Sequence, residues 1–277
     1  MVTFLEETRI HYTAVQGFFM QDDLATDPTS FDYAANNFGL ISRSYPGEEK
    51  EDDQSHKRTQ WQRFERYVSF LNADAEPNVQ YKVLFLGRHG QGFHNVAEKK
   101  YGTKAWDDYW SRLDGDGAIV WADAHLTPTG EEQARAVNRF WKKQIDVEKI
   151  PMPETYYVSP LTRCLNTARL SFDGLDFPKR RPFIPTVKEL AREVIGIHTC
   201  DRRSSKSYIH EKFPDYLIEK GFTEEDELWR SDFREAKSDL NARLGTLLND
   251  IFRTDPSTFI SITSHSGAIA AVMRGKF

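Results

Sequence analysis

A short apolar run, Tyr81-Lys82-Val83-Leu84-Phe85-Leu86, ends at Gly87 and passes at once into Arg88-His89-Gly90-Gln91-Gly92-Phe93-His94-Asn95. The run has the length and composition of a buried strand, the glycines interrupt it, and helix-like sequence starts at about Asn95. A strand end of this kind builds an anion site. Glycines let backbone amides approach a ligand, the first turn of the next helix points free N–H groups at it, and Arg88 adds a planar fork of donors suited to phosphate.

The same arrangement returns twice. Glu154-Thr155-Tyr156-Tyr157-Val158 is strand-like, Ser159-Pro160 reads as a helix cap followed by a first-position proline, and Arg163 stands in the first turn of the helix expected next. Near the C-terminus, Thr258-Phe259-Ile260-Ser261-Ile262-Thr263 is a buried strand, and Ser264-His265-Ser266-Gly267 leads into a helix over 268–274. A further strand is expected at 183–187, with Glu193 a few residues beyond it.

Helical segments fill the intervals. Trp61, Phe64, Val68 and Leu71 recur at helical spacing over 60–71, with Thr59 as cap. Thr127-Pro128 opens a helix carrying Ala134, Val137 and Trp141 on one face. Phe233, Leu240, Leu244, Leu247 and Ile251 predict a helix over 232–252, opened by Asp232 and Glu235 in capping-box spacing. Strands alternating with helices imply an α/β fold: a mostly parallel, doubly wound sheet with helices on both faces, plus helical insertions. In such sheets ligands bind outside the carboxyl ends of the strands, where Arg88, His89, Arg163, Glu193 and His265 all fall.

Residues 1–80 read differently. Phe18, Phe19, Phe31, Tyr33, Phe38 and Tyr45 are mixed with Gly, Pro and Asn without a clean period, so an arm folded back over the main domain is expected, then the packing helix, with the main domain at 81–277. The charged run at 47–58 reads as an exposed loop, and the Trp-rich stretch at 101–124 as an irregular excursion beside the site. The net charge of -5 divides unevenly: residues 1–80 carry 7 Lys and Arg against 14 Asp and Glu, and the remainder 30 against 28. The section holding the Arg-His loop is thus neutral to slightly basic, as an anion site prefers, while the acidic sum argues against a nucleic-acid partner.

Two cysteines, Cys164 and Cys200, make no disulfide framework, and there is no glycosylation sequon or membrane-length apolar run. The first residues, Met-Val-Thr-Phe-Leu-Glu-Glu, lack the pattern of a signal peptide, so a cytoplasmic setting is expected. Cys164 reads as a small packed side chain. His94, His125 and His198 invite a metal reading alongside His89 and His265, but no His-x-x-x-His spacing supports it, and neither metal nor cofactor is expected. The glycine order Gly87-x-x-Gly90-x-Gly92 also departs from a dinucleotide-binding fingerprint.

Taken in order, Arg88-His89-Gly90 after a strand, Leu126-Thr127 with Gly130 and Gln133, Arg163 after a second strand, Glu193, and His265 near the C-terminus resemble the histidine phosphatase superfamily, also called phosphoglycerate mutase-like. Within it the stretches 86–95 and Gly196-Ile197-His198-Thr199-Cys200-Asp201-Arg202-Arg203 are most similar to fungal phosphomutase-like proteins. The resemblance implies a His89 nucleophile, Arg88, Arg163 and His265 holding phosphoryl oxygens, and Glu193 as proton donor, with Glu189 one helical turn away as its rival. Asn95 matches the motif's asparagine, either contacting phosphate or only capping its helix. Gln91, Gly92 and Gly267 fall among the expected substrate contacts. For Arg202 and Arg203, solvated surface charge and a grip on a second anionic group are both open.

The chemistry is consistent with those roles. A neutral imidazole can attack phosphorus in line, splitting one displacement into two. Fixed cations stabilise the equatorial oxygens, and a carboxylic acid protonates the leaving oxygen. Mutases of the family usually show Arg-His-Gly-Glu-Ser, whereas Gln91-Gly92 here lacks that carboxylate and hydroxyl, which favours hydrolysis of a small phosphorylated molecule. A phosphomutase and a non-catalytic phospho-ligand binder are the alternatives.

Overall fold

Strand and helix alternate where the apolar runs place them. The computed structural model describes residues 10–27, 29–46, 48 and 58–275. The charged run at 47–58 lies almost wholly outside the described residues, as do the first nine residues. Helix α1 (Gln60–Ala73) opens on Thr59, whose hydroxyl accepts from the Gln62 N–H at 3.3 Å. Strand β1 (Val83–Arg88) begins two residues later than expected, because the Asn72 side chain brackets Tyr81, accepting from its N–H at 2.7 Å and donating to its carbonyl at 2.9 Å. Helix α2 (Phe93–Tyr101) follows the glycine loop.

The Trp-rich excursion is more regular than expected. It holds α3 (Thr103–Asp108) and a 3-10 turn at Trp110–Arg112, because Trp106, Trp121, Ala97 and Cys200 form a small buried core of their own, with Trp110 stacked on Tyr101 at 4.0 Å. Helix α4 (Pro128–Lys143) has the expected cap, the Thr127 hydroxyl accepting from the Gly130 N–H at 3.1 Å. Then come β2 (Thr155–Val158), α5 (Thr162–Phe172), β3 (Thr186–Val187), α6 (Lys206–Lys212), β4 (Leu217–Ile218), α7 (Lys237–Thr254), β5 (Phe259–Ser264) and α8 (Ser266–Arg274).

Three further boundaries differ for identifiable reasons. Strand β3 is shorter than 183–187, since Phe183 is drawn into an aromatic cluster with Tyr156 and Phe172 and Pro185 has no N–H to give a ladder. Helix α5 starts three residues past Ser159, because Leu161 stays extended. Helix α7 starts at Lys237: Glu235 is engaged by Arg243 and the Ile195 N–H, and Asp232 by Arg230, so neither residue caps a helix.

The five strands lie in the order β1-β5-β2-β3-β4, every neighbouring pair parallel. Period-two alternation sends Phe85, Tyr156 and Phe259 to one face, against Trp61, Trp141 and Phe172, and Leu84, Tyr157, Ile260 and Ile262 to the other, against Leu240, Leu244, Ile251, Ala268 and Ala271. Helices α1, α4 and α5 therefore cover one face, and α7 and α8 the opposite one. In the arm, Phe18, Phe19, Phe38, Leu40 and Tyr45 join the first of these cores. A cavity of about 1800 Å³ runs along β1 beneath the arm as far as Arg88, but His89, Glu193 and His265 do not line it. No helix among the described residues is long and apolar enough to cross a membrane.

Candidate active site

The register of β1 against β5 creates the centre of the site. Arg88 is paired with Ser264, the His89 N–H donates to the Ser264 carbonyl at 3.1 Å, and the next residue of each strand end is a histidine. His89 and His265 therefore stand side by side, ring centroids 5.1 Å apart, although they are 176 positions apart in sequence. His89 Nδ1 lies 2.7 Å from the Gly90 carbonyl oxygen. A carbonyl can only accept, so Nδ1 carries the proton and Nε2 keeps its lone pair. Burial, and then the Arg163 guanidinium, push the His89 pKa down to about 3, so the ring stays neutral.

His265 is fully buried, its Nε2 2.8 Å from the Ser159 hydroxyl and 3.3 Å from Cys164 Sγ. Ser159, expected as a helix cap, thus serves the histidine instead. Cys164 donates to the Ser264 carbonyl at 3.2 Å, and burial pushes its thiol pKa up, in keeping with a packed side chain. Burial and Arg163 hold His265 well below the ordinary histidine range.

Arg163 sits on α5 with a side chain 1% exposed. Its Nη1 donates to the Cys200 carbonyl at 2.6 Å and its Nη2 to Asp201 at 3.0 Å, while the buried Nε–H has no partner. The second oxygen of Asp201 accepts from Arg234 at 3.0 Å. Burial alone would raise the Asp201 pKa, but the two guanidiniums hold it below the usual carboxylate value. Asp201 went unassigned in the sequence, where an acid inside a basic run was its one signal. His198, Cys200 and Asp201 bring possible metal-ligating atoms within 4.8 Å of one another, yet both Asp201 oxygens already accept from arginines.

Glu193 is separated from its rival by its surroundings. Its Oε2 accepts from the Gly267 N–H at 2.9 Å and its Oε1 from the Val194 N–H at 3.0 Å. Burial first, and the Asp201 charge next, raise its pKa, so it keeps its proton to higher pH than a free carboxylic acid. Glu189 instead accepts from Arg192 at 2.8 Å and Arg203 at 2.7 Å. Gly267, expected among the substrate contacts, makes room for Glu193: a Cβ there would overlap the carboxylate.

The glycine loop is fixed from several sides. The Gly90 N–H donates to the Thr167 hydroxyl at 3.1 Å, and the Gln91 N–H to Gln133 Oε1 at 2.8 Å. Gln91 Oε1 accepts from the Thr127 hydroxyl at 2.8 Å, which turns that side chain toward α4. Gly90 and Gly130 touch through their main chains, with no room for a Cβ on either. Asn95 Oδ1 accepts from the Gly92 N–H at 3.0 Å, a capping role that leaves its amide nitrogen without a protein partner among the described residues. Arg88 is exposed at the end of β1.

The two remaining arginines differ. Arg202 lies at the surface, paired with Asp114 at 2.9 Å and stacked over Trp229 at 5.1 Å. Arg203 has a fully buried side chain that donates to Glu189 and to the carbonyls of Thr223, Ser204, Glu224 and Glu225. Its fork is spent within the protein, which corrects both readings of the sequence, solvated surface charge and a grip on a second anionic group.

A family model described as "Histidine phosphatase superfamily (branch 1)" matches residues 84–276. A protein of Arthroderma benhamiae named "Probable phosphoglycerate mutase" is 56% identical over 95% of this chain and 78% of its own length. "Phosphomutase-like protein 3" of Candida albicans is 36% identical over 95% of this chain and 73% of its own length. Among solved structures, the alpha-ribazole phosphatase from Shigella flexneri aligns with 69% of this chain and 77% of that chain at 18% identity, with a TM-score of 0.40.

Proposed function

The chain belongs to the histidine phosphatase superfamily, and we propose that it hydrolyses a phosphomonoester, or a diphosphate, of a small molecule through a phosphohistidine on His89. The observation that carries this reading is the Gly90 carbonyl holding the proton of His89 on Nδ1, which leaves the Nε2 lone pair free in a ring kept neutral by burial.

In the first step Nε2 attacks phosphorus, the N–P bond forms as the P–O bond to the leaving group breaks, and Glu193 gives its proton to the departing oxygen. In the second, Glu193 takes a proton from water as that water attacks phosphorus and the N–P bond breaks, releasing inorganic phosphate. Arg88, Arg163 and His265 hold the non-bridging oxygens, with the Asn95 amide beside them, so fixed protein charge carries the stabilisation that a metal ion supplies in other phosphoryl-transfer sites.

Phosphate release from sugar phosphates, nucleotides, diphosphates and an aryl phosphate, with EDTA present, tests the proposal. Wild-type release should resist EDTA, and His89→Ala should lose at least about a thousandfold; turnover at the wild-type rate in that variant would sink the mechanism. The names of the curated relatives favour a second reading, phosphoryl shuttling within a sugar phosphate. A mutase would move label between positions of one sugar with little free phosphate. Gln91, turned toward Thr127, and Gly92, without a side chain, argue for hydrolysis.

A further inference from the structure

The mechanism above gives no role to His94, although it lies inside the site. It is the second residue of α2, and its ring centroid is 5.4 Å from that of His89, so the nucleophilic ring has an imidazole neighbour there as well as in His265.

The two nitrogens of His94 have different surroundings. Nδ1 is shut off from solvent and has no hydrogen-bond partner, and a Cβ on Gly92 would stand 2.6 Å from it. The imidazole therefore folds back over position 92 and occupies the space that a side chain there would take. A proton on Nδ1 would be buried with nothing to accept it, so the tautomer that fits carries its proton on Nε2. That nitrogen is not walled off in the same way and has no partner among the described residues.

Arg163 adds an independent observation. After burial, its charge is the largest influence lowering the pKa of His89, of His94 and of His265. Its Nε–H is buried and unpartnered although the side chain is 1% exposed. Buried donors without partners are costly and rare. An orphan guanidinium N–H and an open imidazole N–H are donors that the oxygens of an anion would satisfy.

We propose that His94 is a phosphoryl-binding residue, its Nε2–H donating to a non-bridging oxygen of the group that His89 accepts. The proposal rests on the reading of His89 given above. Because burial and Arg163 keep the ring neutral, His94 supplies direction without charge.

The test measures binding rather than turnover: calorimetric titration of the full chain with orthophosphate and orthovanadate, with thermal melting of each variant. His94→Ala should weaken both anions about 10- to 100-fold, the range for a hydrogen bond to a charged group. His94→Gln, whose amide nitrogen reaches near the position of Nε2, should stay within about threefold of wild type, while His94→Asn, whose amide ends near Nδ1, should be as weak as the alanine variant. Wild-type affinity in a folded His94→Ala, or a folded His94→Gln as weak as alanine, overturns the assignment. If the alanine variant does not fold, the glutamine and asparagine pair decides. A wild-type chain that binds neither anion would instead overturn the phosphoryl site itself, His89 included.

Discussion

Gly267 and Glu193 define each other. The glycine N–H donates to Glu193 Oε2 at 2.9 Å, and the missing side chain of the same residue leaves the volume that the carboxyl group fills. The Glu193 carboxyl group, the proposed proton donor, is thus seated by the first turn of α8, two residues past His265.

Adding one methyl group should therefore uncouple the acid from the rest of the site. Gly267→Ala is expected to lower kcat/KM about a hundredfold, since a shift of about 1 Å in a catalytic group is enough for that. Orthophosphate affinity should change little, and substrates with good leaving groups, which need less protonation, should suffer least. Helix propensity favours alanine by up to about 1 kcal/mol, so the melting temperature should not collapse. Unchanged kinetics on a poor leaving group would show that Glu193 is not the donor.

Stability should fall unusually early on acidification. His89, His94 and His265 all have pKa values pushed below the ordinary histidine value, that of His89 to about 3. Between about pH 6.5 and 3 the unfolded chain binds protons on these residues that the folded chain does not, so stability drops as pH falls through this window and is unaffected above it. Each ring contributes up to about 1.4 kcal/mol per pH unit. Urea denaturation between pH 8 and 5 checks this, because few carboxylates titrate there; a flat profile contradicts the prediction, and His94→Gln should reduce the slope.

Asp201 holds Arg163 and Arg234 with separate oxygens in a nearly solvent-free setting. Removing one partner of a buried pair strands the other charge, so Asp201→Asn should cost about 3 kcal/mol in a denaturant titration. It should also weaken orthophosphate binding, because Arg163 loses the contact that aims it. A loss of stability with anion affinity intact would make Asp201 a structural residue alone.

Much of this arrangement was legible in the sequence because it follows from local rules. Strand β1 opens on an apolar run and β5 on apolar residues alternating with small hydroxyl residues, Thr59 and Thr127 cap the helices they precede, and the parallel fold that they imply sends His89 and His265 to one edge. What escaped depends on long-range partners. Arg163 is marked by the strand end before it and keeps a buried, unpartnered Nε–H, but nothing in the sequence shows that Arg203 spends its fork on Glu189 and a loop's carbonyls. Ser159-Pro160 reads as a helix start by every local criterion, but the hydroxyl turns to a histidine 106 residues away. Glu235 is drawn off its helix by Arg243. Side-chain competition of this kind has no signature in spacing.

The main-chain contact between Gly90 and Gly130 bears on how such sites are recognised in other chains. Neither position tolerates a β-carbon while the loop keeps this path, so the pair behaves as one unit split across forty residues. An Arg-His-Gly tripeptide met by chance is under no obligation to have glycine at the start of the following long helix, whereas a working copy of this loop is. Screening for both glycines together would separate true relatives from coincidental matches more sharply than the histidine motif does alone.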